Sequence, residues 1–260
     1  MNVMEMFGLQ GKTAIVTGGA RGLGRQAALA LAEAGADVAI CGRSTDGTAV
    51  AKEIEALGRR GFSSKVDLTK SSEIEVFVEE VIRRFGKIDI LVNNAGIGTR
   101  GQSLETVKDE EWHEFIDGIL NTVFYMSKPV ARHMIARGQG GVIINISSIA
   151  GMIISNLAPR HNVPYCVAKA GVSHLTKGMA ANWAPHGIRV NAIAPGFIPT
   201  DMGSTLQQFP DIMARLLAGQ PMGRFGQAEE IKGPVLFLAS AASSYMTGSV
   251  VVLDGGATIW

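Results

Sequence analysis

Tyr165 and Lys169 stand four residues apart in a stretch with helical spacing, which puts a phenol and an ammonium on one helix face. A free tyrosine loses its proton only near pH ~10. A neighbouring positive charge favours the phenolate and would let it exchange a proton with a hydroxyl group at neutral pH. Ser148 follows an apolar run and offers a hydroxyl that could bond a substrate oxygen and stabilise developing alkoxide. Ser147 competes for that role. A second constellation is Thr17-Gly18-Gly19-Ala20-Arg21-Gly22-Leu23-Gly24. Its glycines allow a sharp turn from strand to helix and bring backbone N–H groups and a helix N-terminus against a pyrophosphate. The spacing is not G-x-G-x-x-G, although its place between a strand and a helix is the one a dinucleotide requires.

The next βα turn bears on which dinucleotide. Asp37 stands at the start of its strand, the wrong end to meet a ribose, and the strand finishes in Gly42-Arg43-Ser44 with no carboxylate. Arg43 together with Arg21 could grip a 2′-phosphate, so NADP is expected over NAD. The five histidines have no Cys or carboxylate partners at ligand spacing, and no metal site is expected. No Gly-x-Ser-x-Gly elbow surrounds Ser148, which argues against a hydrolase.

These groups need a scaffold. β-branched runs at 13–16, 37–41, 61–66, 88–92, 141–146, 189–193 and 250–253 alternate with helical spacing at 21–34, 49–57, 71–85, 109–137, 163–184 and 228–240. That order predicts a single-domain α/β fold over residues 1–260: a doubly wound, parallel, seven-stranded sheet of Rossmann type with helices on both faces. Hydrophobic residues at 47% and charged residues at 18% suit a large buried core. A net charge of +1 gives no footprint for nucleic acid. The charge-free stretches 140–159 and 234–253 are too interrupted by polar residues to span a membrane. The opening residues lack a signal peptide's basic region, and two cysteines, Cys41 and Cys166, make no disulfide framework. A cytoplasmic protein is expected.

The glycine turn, Asn93-Asn94-Ala95-Gly96, Ser148, Tyr165-x-x-x-Lys169 and Pro195-Gly196 occur in the order of the short-chain dehydrogenase/reductase family, which the chain resembles along essentially its whole length. The resemblance implies that Tyr165 exchanges the substrate hydroxyl proton while hydride moves to or from a nicotinamide. Lys169 would bind the nicotinamide ribose and, with the positive ring, lower the Tyr165 pKa. The pattern Ser-x-x-Gly favours Ser148, through Gly151, over Ser147. The implied cofactor contacts are Gly18, Ala20, Arg21, Gly22, Leu23, Gly24 and Arg43, then Asp67 and Leu68 at the adenine. They continue with Asn94, Ala95 and Gly96 at the ribose, Tyr165 and Lys169, and Pro195, Gly196, Ile198 and Thr200 around the carboxamide.

One position departs from the family. An Asn in the middle of the long helix usually props the Lys through a water, and here that position holds Ile119, with the nearest amide at Asn121. Two residues are about 200° around a helix, so Asn121 would serve only if the helix were deformed there. Otherwise the relay runs without this group. The resemblance further implies a small alcohol or carbonyl substrate, a lid at 200–219, and a homotetramer paired through the helices at 109–137 and 163–184. Arg160 and His161 lie in the loop before the catalytic helix, where Arg160 could pair with a substrate carboxylate. Within the family the sequence is most similar to the gluconate 5-dehydrogenase branch of sugar-acid and polyol enzymes, with 3-oxoacyl carrier-protein reductases close behind. A catalytically weak NADP-binding sensor or scaffold is the alternative of another class.

Overall fold

Val, Ile and Ala dominate the runs that form strands in the computed structural model, which describes residues 2–98, 103–154, 162–199 and 210–259. β1 (Thr13–Thr17), β2 (Asp37–Gly42), β3 (Gly61–Lys65), β4 (Ile90–Asn93), β5 (Gly141–Ile146), β6 (Ile188–Pro195) and β7 (Val250–Leu253) make one seven-stranded sheet. Its order is β3-β2-β1-β4-β5-β6-β7 and every pairing is parallel. The period of two along each strand divides its side chains between two cores. In β1, Ala14 and Val16 join one core with α1 (Gly22–Glu33), α2 (Thr48–Ala56) and α8 (Lys232–Ala239). Ile15 points to the other, built on α3 (Ser71–Phe85), α5 (Thr122–Arg137) and α6 (Val163–Trp183). Sheet order reverses between β1 and β4, which leaves a crevice beyond the carboxyl ends of the strands.

The boundaries differ from expectation in a few places. β4 begins at Ile90, because the amide of Ile88 donates to His133 Nε2 at 3.2 Å and stands outside the ladder. β6 runs through Pro195, two residues beyond 193, toward the cleft. Residues 228–240 divide into a 3₁₀ turn at Ala228–Ile231 and α8. α7 (Pro210–Ala218) is a helix inside the segment expected as a lid, and it buries Leu216. Residues 200–209, 155–161 and 99–102 lie outside the described residues, and with them Thr200, Arg160 and His161.

The long helix at 109–137 is interrupted. α4 (Asp109–Phe115) passes through a π turn at Ile116–Asn121 before α5 begins at Thr122. The deformation that would rescue Asn121 is therefore present, yet Asn121 does not enter the cleft. Its amide donates to the Asp117 carboxylate at 2.6 Å on an exposed surface. Ile119 is 1% exposed and packs in the core with Phe115 and Val123. Ile119→Asn should accordingly lower stability by about 2–4 kcal/mol, since it buries an unpartnered amide and loses apolar contact. Asn121→Ala should shift it by less than about 0.5 kcal/mol. Denaturant midpoints of the two variants check both.

Candidate active site

Backbone does most of the work at the glycine turn. Gly18 at φ +65° and Gly22 at φ +54° occupy the left-handed region, where a side chain would be strained. A Cβ on Gly24 would fall 2.1 Å from the Gly18 carbonyl oxygen, and one on Gly18 would fall 2.9 Å from Asn94 Nδ2. Asn94 braces the turn by donating to the carbonyls of Thr17 (3.0 Å) and Gly18 (3.2 Å). Thr17 Oγ1 in turn accepts from the amides of Asn94 and Ala95, each at 3.0 Å. The first amides of α1 thus open onto a cleft of about 330 Å³ lined by Gly18, Ala20, Arg21, Gly22, Leu23 and Gly24.

From this turn the cleft extends two ways along the sheet edge. At one end stand Arg43, Asp67 and Leu68. The Thr69 hydroxyl and amide hold the Asp67 carboxyl below its ordinary range, with Lys70 and Arg43 adding to the effect. Arg21 and Arg43 are both exposed. Toward the other end lie Asn94, Ala95, Gly96, Pro195, Gly196 and Ile198. Gly196 lies against Asp254, whose Cα would be 2.8 Å from an added Cβ. Asp254 folds the last turn by accepting from the amides of Gly256 and Thr258 and from the Thr258 hydroxyl.

Ser148, Tyr165 and Lys169 meet between these ends. The two serines separate cleanly in their roles. Ser147 is buried, bonds the Lys169 carbonyl at 3.0 Å and shares a hydrogen bond with Ser173 at 2.7 Å, so it fastens β5 to α6. Ser148 opens the 3₁₀ turn Ile149–Gly151, accepts from the Ala150 amide at 3.1 Å, and hydrogen-bonds the Tyr165 phenol. Gly151 lets that turn lie on α6, since its Cβ would come 2.6 Å from the Lys169 carbonyl carbon. Asn162 caps α6 by accepting from the Tyr165 amide at 3.0 Å. Phe115 meets the Tyr165 ring edge-on at 6.5 Å and 84°.

The Lys169 Nζ lies 5.8 Å from the Tyr165 ring centroid and donates to the Ile146 carbonyl at 2.8 Å. Burial pushes Lys169 down to about 8. Burial also pushes the Tyr165 phenol above its ordinary value, against a smaller lowering by Ser148. The expectation joined Lys169 with a positive ring in lowering this value; in the free protein burial is the dominant influence on the phenol.

Further residues reach the cleft that their types did not announce: Gly42, Ser44, Thr45, Thr69, Ile97, Gly118, Thr122 and Ile146. Most are strand ends and the turns after them, a signal available in any parallel sheet. Gly118 and Thr122 depend on the π turn, which leaves no period to read. Among the described residues, no helix is long and apolar enough to cross a membrane.

A family model described as enoyl-(acyl carrier protein) reductase matches residues 18–258. The chain is 39% identical over 254 residues to 2-dehydro-3-deoxy-D-gluconate 5-dehydrogenase of Escherichia coli K12, covering 98% of each. It is 40% identical over 247 residues to a 3-oxoacyl-[acyl-carrier-protein] reductase of Staphylococcus aureus, covering 94% of this chain and 97% of that one. Its fold matches the crystal structure of a gluconate 5-dehydrogenase from Burkholderia cenocepacia in complex with NADP and tartrate, with a TM-score of 0.92, 37% identity and full coverage of both chains. With its parallel sheet, glycine turn and Ser148, Tyr165 and Lys169 gathered in one cleft, the chain belongs to the short-chain dehydrogenase/reductase family, enzymes that act on CH–OH groups.

Proposed function

We propose that the protein moves a hydride between NADP(H) and a secondary alcohol or ketone on a small sugar acid or polyol. The observation that carries this reading is the meeting of Ser148, Tyr165 and Lys169 in the same cleft as the glycine turn. The cradle fits a dinucleotide because a Cβ on Gly18 or Gly24 would strike Asn94 or the Gly18 carbonyl, so only glycine lets the turn close with the first α1 amides at the cleft. Gly18, Ala20, Gly22, Leu23 and Gly24 would hold the pyrophosphate against the amides of α1. Arg21 and Arg43 would take the 2′-phosphate, Asp67 and Leu68 the adenine, and Asn94, Ala95 and Gly96 its ribose. Pro195, Gly196, Ile198 and Thr200 would hold the carboxamide. When bound, the cofactor supplies the hydride acceptor or donor.

The remaining chemistry belongs to this chain. Ser148 donates a hydrogen bond to the substrate oxygen and orients it toward Tyr165. Tyr165 takes the hydroxyl proton in oxidation and returns one in reduction. Lys169 holds the nicotinamide ribose, and its charge favours the phenolate. The sugar-acid assignment draws on the names of the Escherichia coli and Burkholderia cenocepacia proteins. A second reading, reduction of 3-oxoacyl thioesters, draws on the Staphylococcus aureus reductase at nearly equal identity. A panel of aldonates, polyols and 3-oxoacyl thioesters with NADP(H) separates the two. Turnover of acyl thioesters alone would select the second, and tight NADPH binding without any turnover would select a sensor or scaffold.

Segment 200–219, of which α7 is a described part, would close over bound substrate. Two free cysteines, Cys41 and Cys166, suit a reducing cytoplasm. The exposed Trp112, Phe124 and Val167, with a groove between Lys128, Arg132, Ile135 and Trp183, are surfaces on which copies would pair into a tetramer. Light scattering of Phe124→Glu should then show a smaller particle than the unmodified protein.

Tyr165→Phe should lower kcat by at least about 100-fold and leave NADPH affinity within about twofold, as measured by initial rates and cofactor fluorescence. Arg43→Asp should weaken NADP by more than about tenfold while NAD holds or improves, because a charge-assisted contact is worth about 1.5–3 kcal/mol. For Lys169 the ammonium prevails below its value of about 8. NADP affinity should therefore begin to fall as pH rises through that value, and Lys169→Met should bind weakly with a flat profile.

A further inference from the structure

We propose that the Thr122 hydroxyl, seated where the π turn passes into α5, positions a water against the Lys169 ammonium and so does the work of the absent helix-centre amide. Its effect on turnover rests on the oxidoreductase reading above; the contact itself does not. An ammonium carries three N–H donors, and only one of those on Lys169 has an acceptor among the described residues, the Ile146 carbonyl. With the residue 6% exposed, the other two must be satisfied inside the cleft. The helix that faces Lys169 contributes Gly118 and Thr122 to the lining, four residues apart and so on one face. Gly118 has no side chain, so of these two lining residues Thr122 is the one with a polar side chain. The other polar candidate, the Asn121 amide, is engaged by Asp117 at the surface.

The direction of the Thr122 hydrogen bond decides what it can do. Thr122 Oγ1 donates its single proton to the Ile119 carbonyl at 3.0 Å, so its lone pairs remain as acceptors. A water between the two groups would accept from Lys169 Nζ and donate to Thr122 Oγ1, which donates in turn to the Ile119 carbonyl, so a second of the three ammonium donors gains an acceptor. The turn is fixed in place by its apolar members. Leu120 packs where a Cβ on Gly171 would meet it at 3.0 Å, and Ile119 lies 3.9 Å from a Cβ on Gly96. Gly171 is two residues from Lys169 on α6, so the hydroxyl and the ammonium are held by one packing unit.

Thr122→Val removes the hydroxyl and keeps the shape, and Thr122→Ser keeps the hydroxyl. Two readouts are compared: kcat across pH, and titration of Lys169 in the intact protein by NMR of its ε-carbon, assigned through Lys169→Met. Loss of one hydrogen bond to a charged group corresponds to about a tenfold change in an equilibrium or a rate. In Thr122→Val, kcat should fall by about tenfold and the Lys169 titration should move down by about one pH unit, with KM and NADP affinity at about pH 6, where Lys169 is charged in both proteins, within about twofold. Thr122→Ser should restore both. A Lys169 titration unmoved in Thr122→Val, an unchanged kcat, or an equal loss in Val and Ser variants would overturn the proposal. A Lys169 titration that moves in a protein without any dehydrogenase turnover would sustain the contact and defeat the functional reading instead.

Discussion

A buried ammonium bonded to the last carbonyl of a central strand is the constraint around which the cleft is organised. Among the described residues Lys169 has no carboxylate partner, and desolvation sets its shift. A cation in that position is costly unless dipoles replace the lost water. Parallel strands place their final carbonyls at one sheet edge, so Ile146 supplies such a dipole where the chain leaves β5. The surrounding polar contacts then fix the strand against the helix. Ser147 bonds the Lys169 carbonyl, Asn145 donates to Thr176 on α6, and Asn93 donates both to Asn145 and to Ser127 on α5. Buried networks of this kind specify a register as much as they stabilise it. Here the register sets the distance between Lys169 and the end of β5.

The other half of the cleft obeys the opposite rule, since it excludes side chains. Gly18, Gly24 and the Asn94 amide approach so closely that no Cβ fits between them. Asn94 therefore does structural work through its side chain and leaves the backbone of Ala95 and Gly96 to line the cleft. The charged groups stand outside this cradle. Arg21 and Arg43 are exposed at its rim, where a ligand phosphate can meet them without desolvating them first. Shape selection thus resides in buried backbone and charge selection at the surface. The two can vary independently.

How much of this was legible before the structure follows from the range of each interaction. Strands such as Gly141–Ile146 and Val250–Leu253 and the helix Ser71–Phe85 keep the limits their periodicity sets, because local side-chain pattern and burial agree there. The glycine turn and the pair Tyr165 and Lys169 are equally local, one fixed by backbone sterics and the other by a helical repeat. The separation of Ser147 from Ser148 was less accessible: their types are identical, and only the contact of Ser147 with Ser173 and the Lys169 carbonyl tells them apart. The π turn was legible only as a possibility. Its extra residue depends on Leu120 meeting Gly171 and Ile119 entering the core, contacts between segments far apart in sequence. The direction of Asn121 was open for the same reason, since a single added residue rotates everything that follows it.

The shifts of the two titrating groups bear on when the site acquires a base. Burial raises the Tyr165 phenol and lowers Lys169, so the free cleft drives both members toward their neutral forms. Lys169 at about 8 is still mostly charged at pH 7, while the net direction for the phenol remains upward. A positive charge placed beside the phenol would favour the phenolate, and under the proposed function an oxidised nicotinamide ring would supply one. On the proposed function, base formation would be coupled to arrival of the oxidised cofactor, while a neutral ring would leave the phenol protonated. The protonated phenol is the form that can donate to a nascent alkoxide. Burial thus favours the protonated phenol in the free cleft, and the charge of a bound cofactor would bias the direction in which the proton moves.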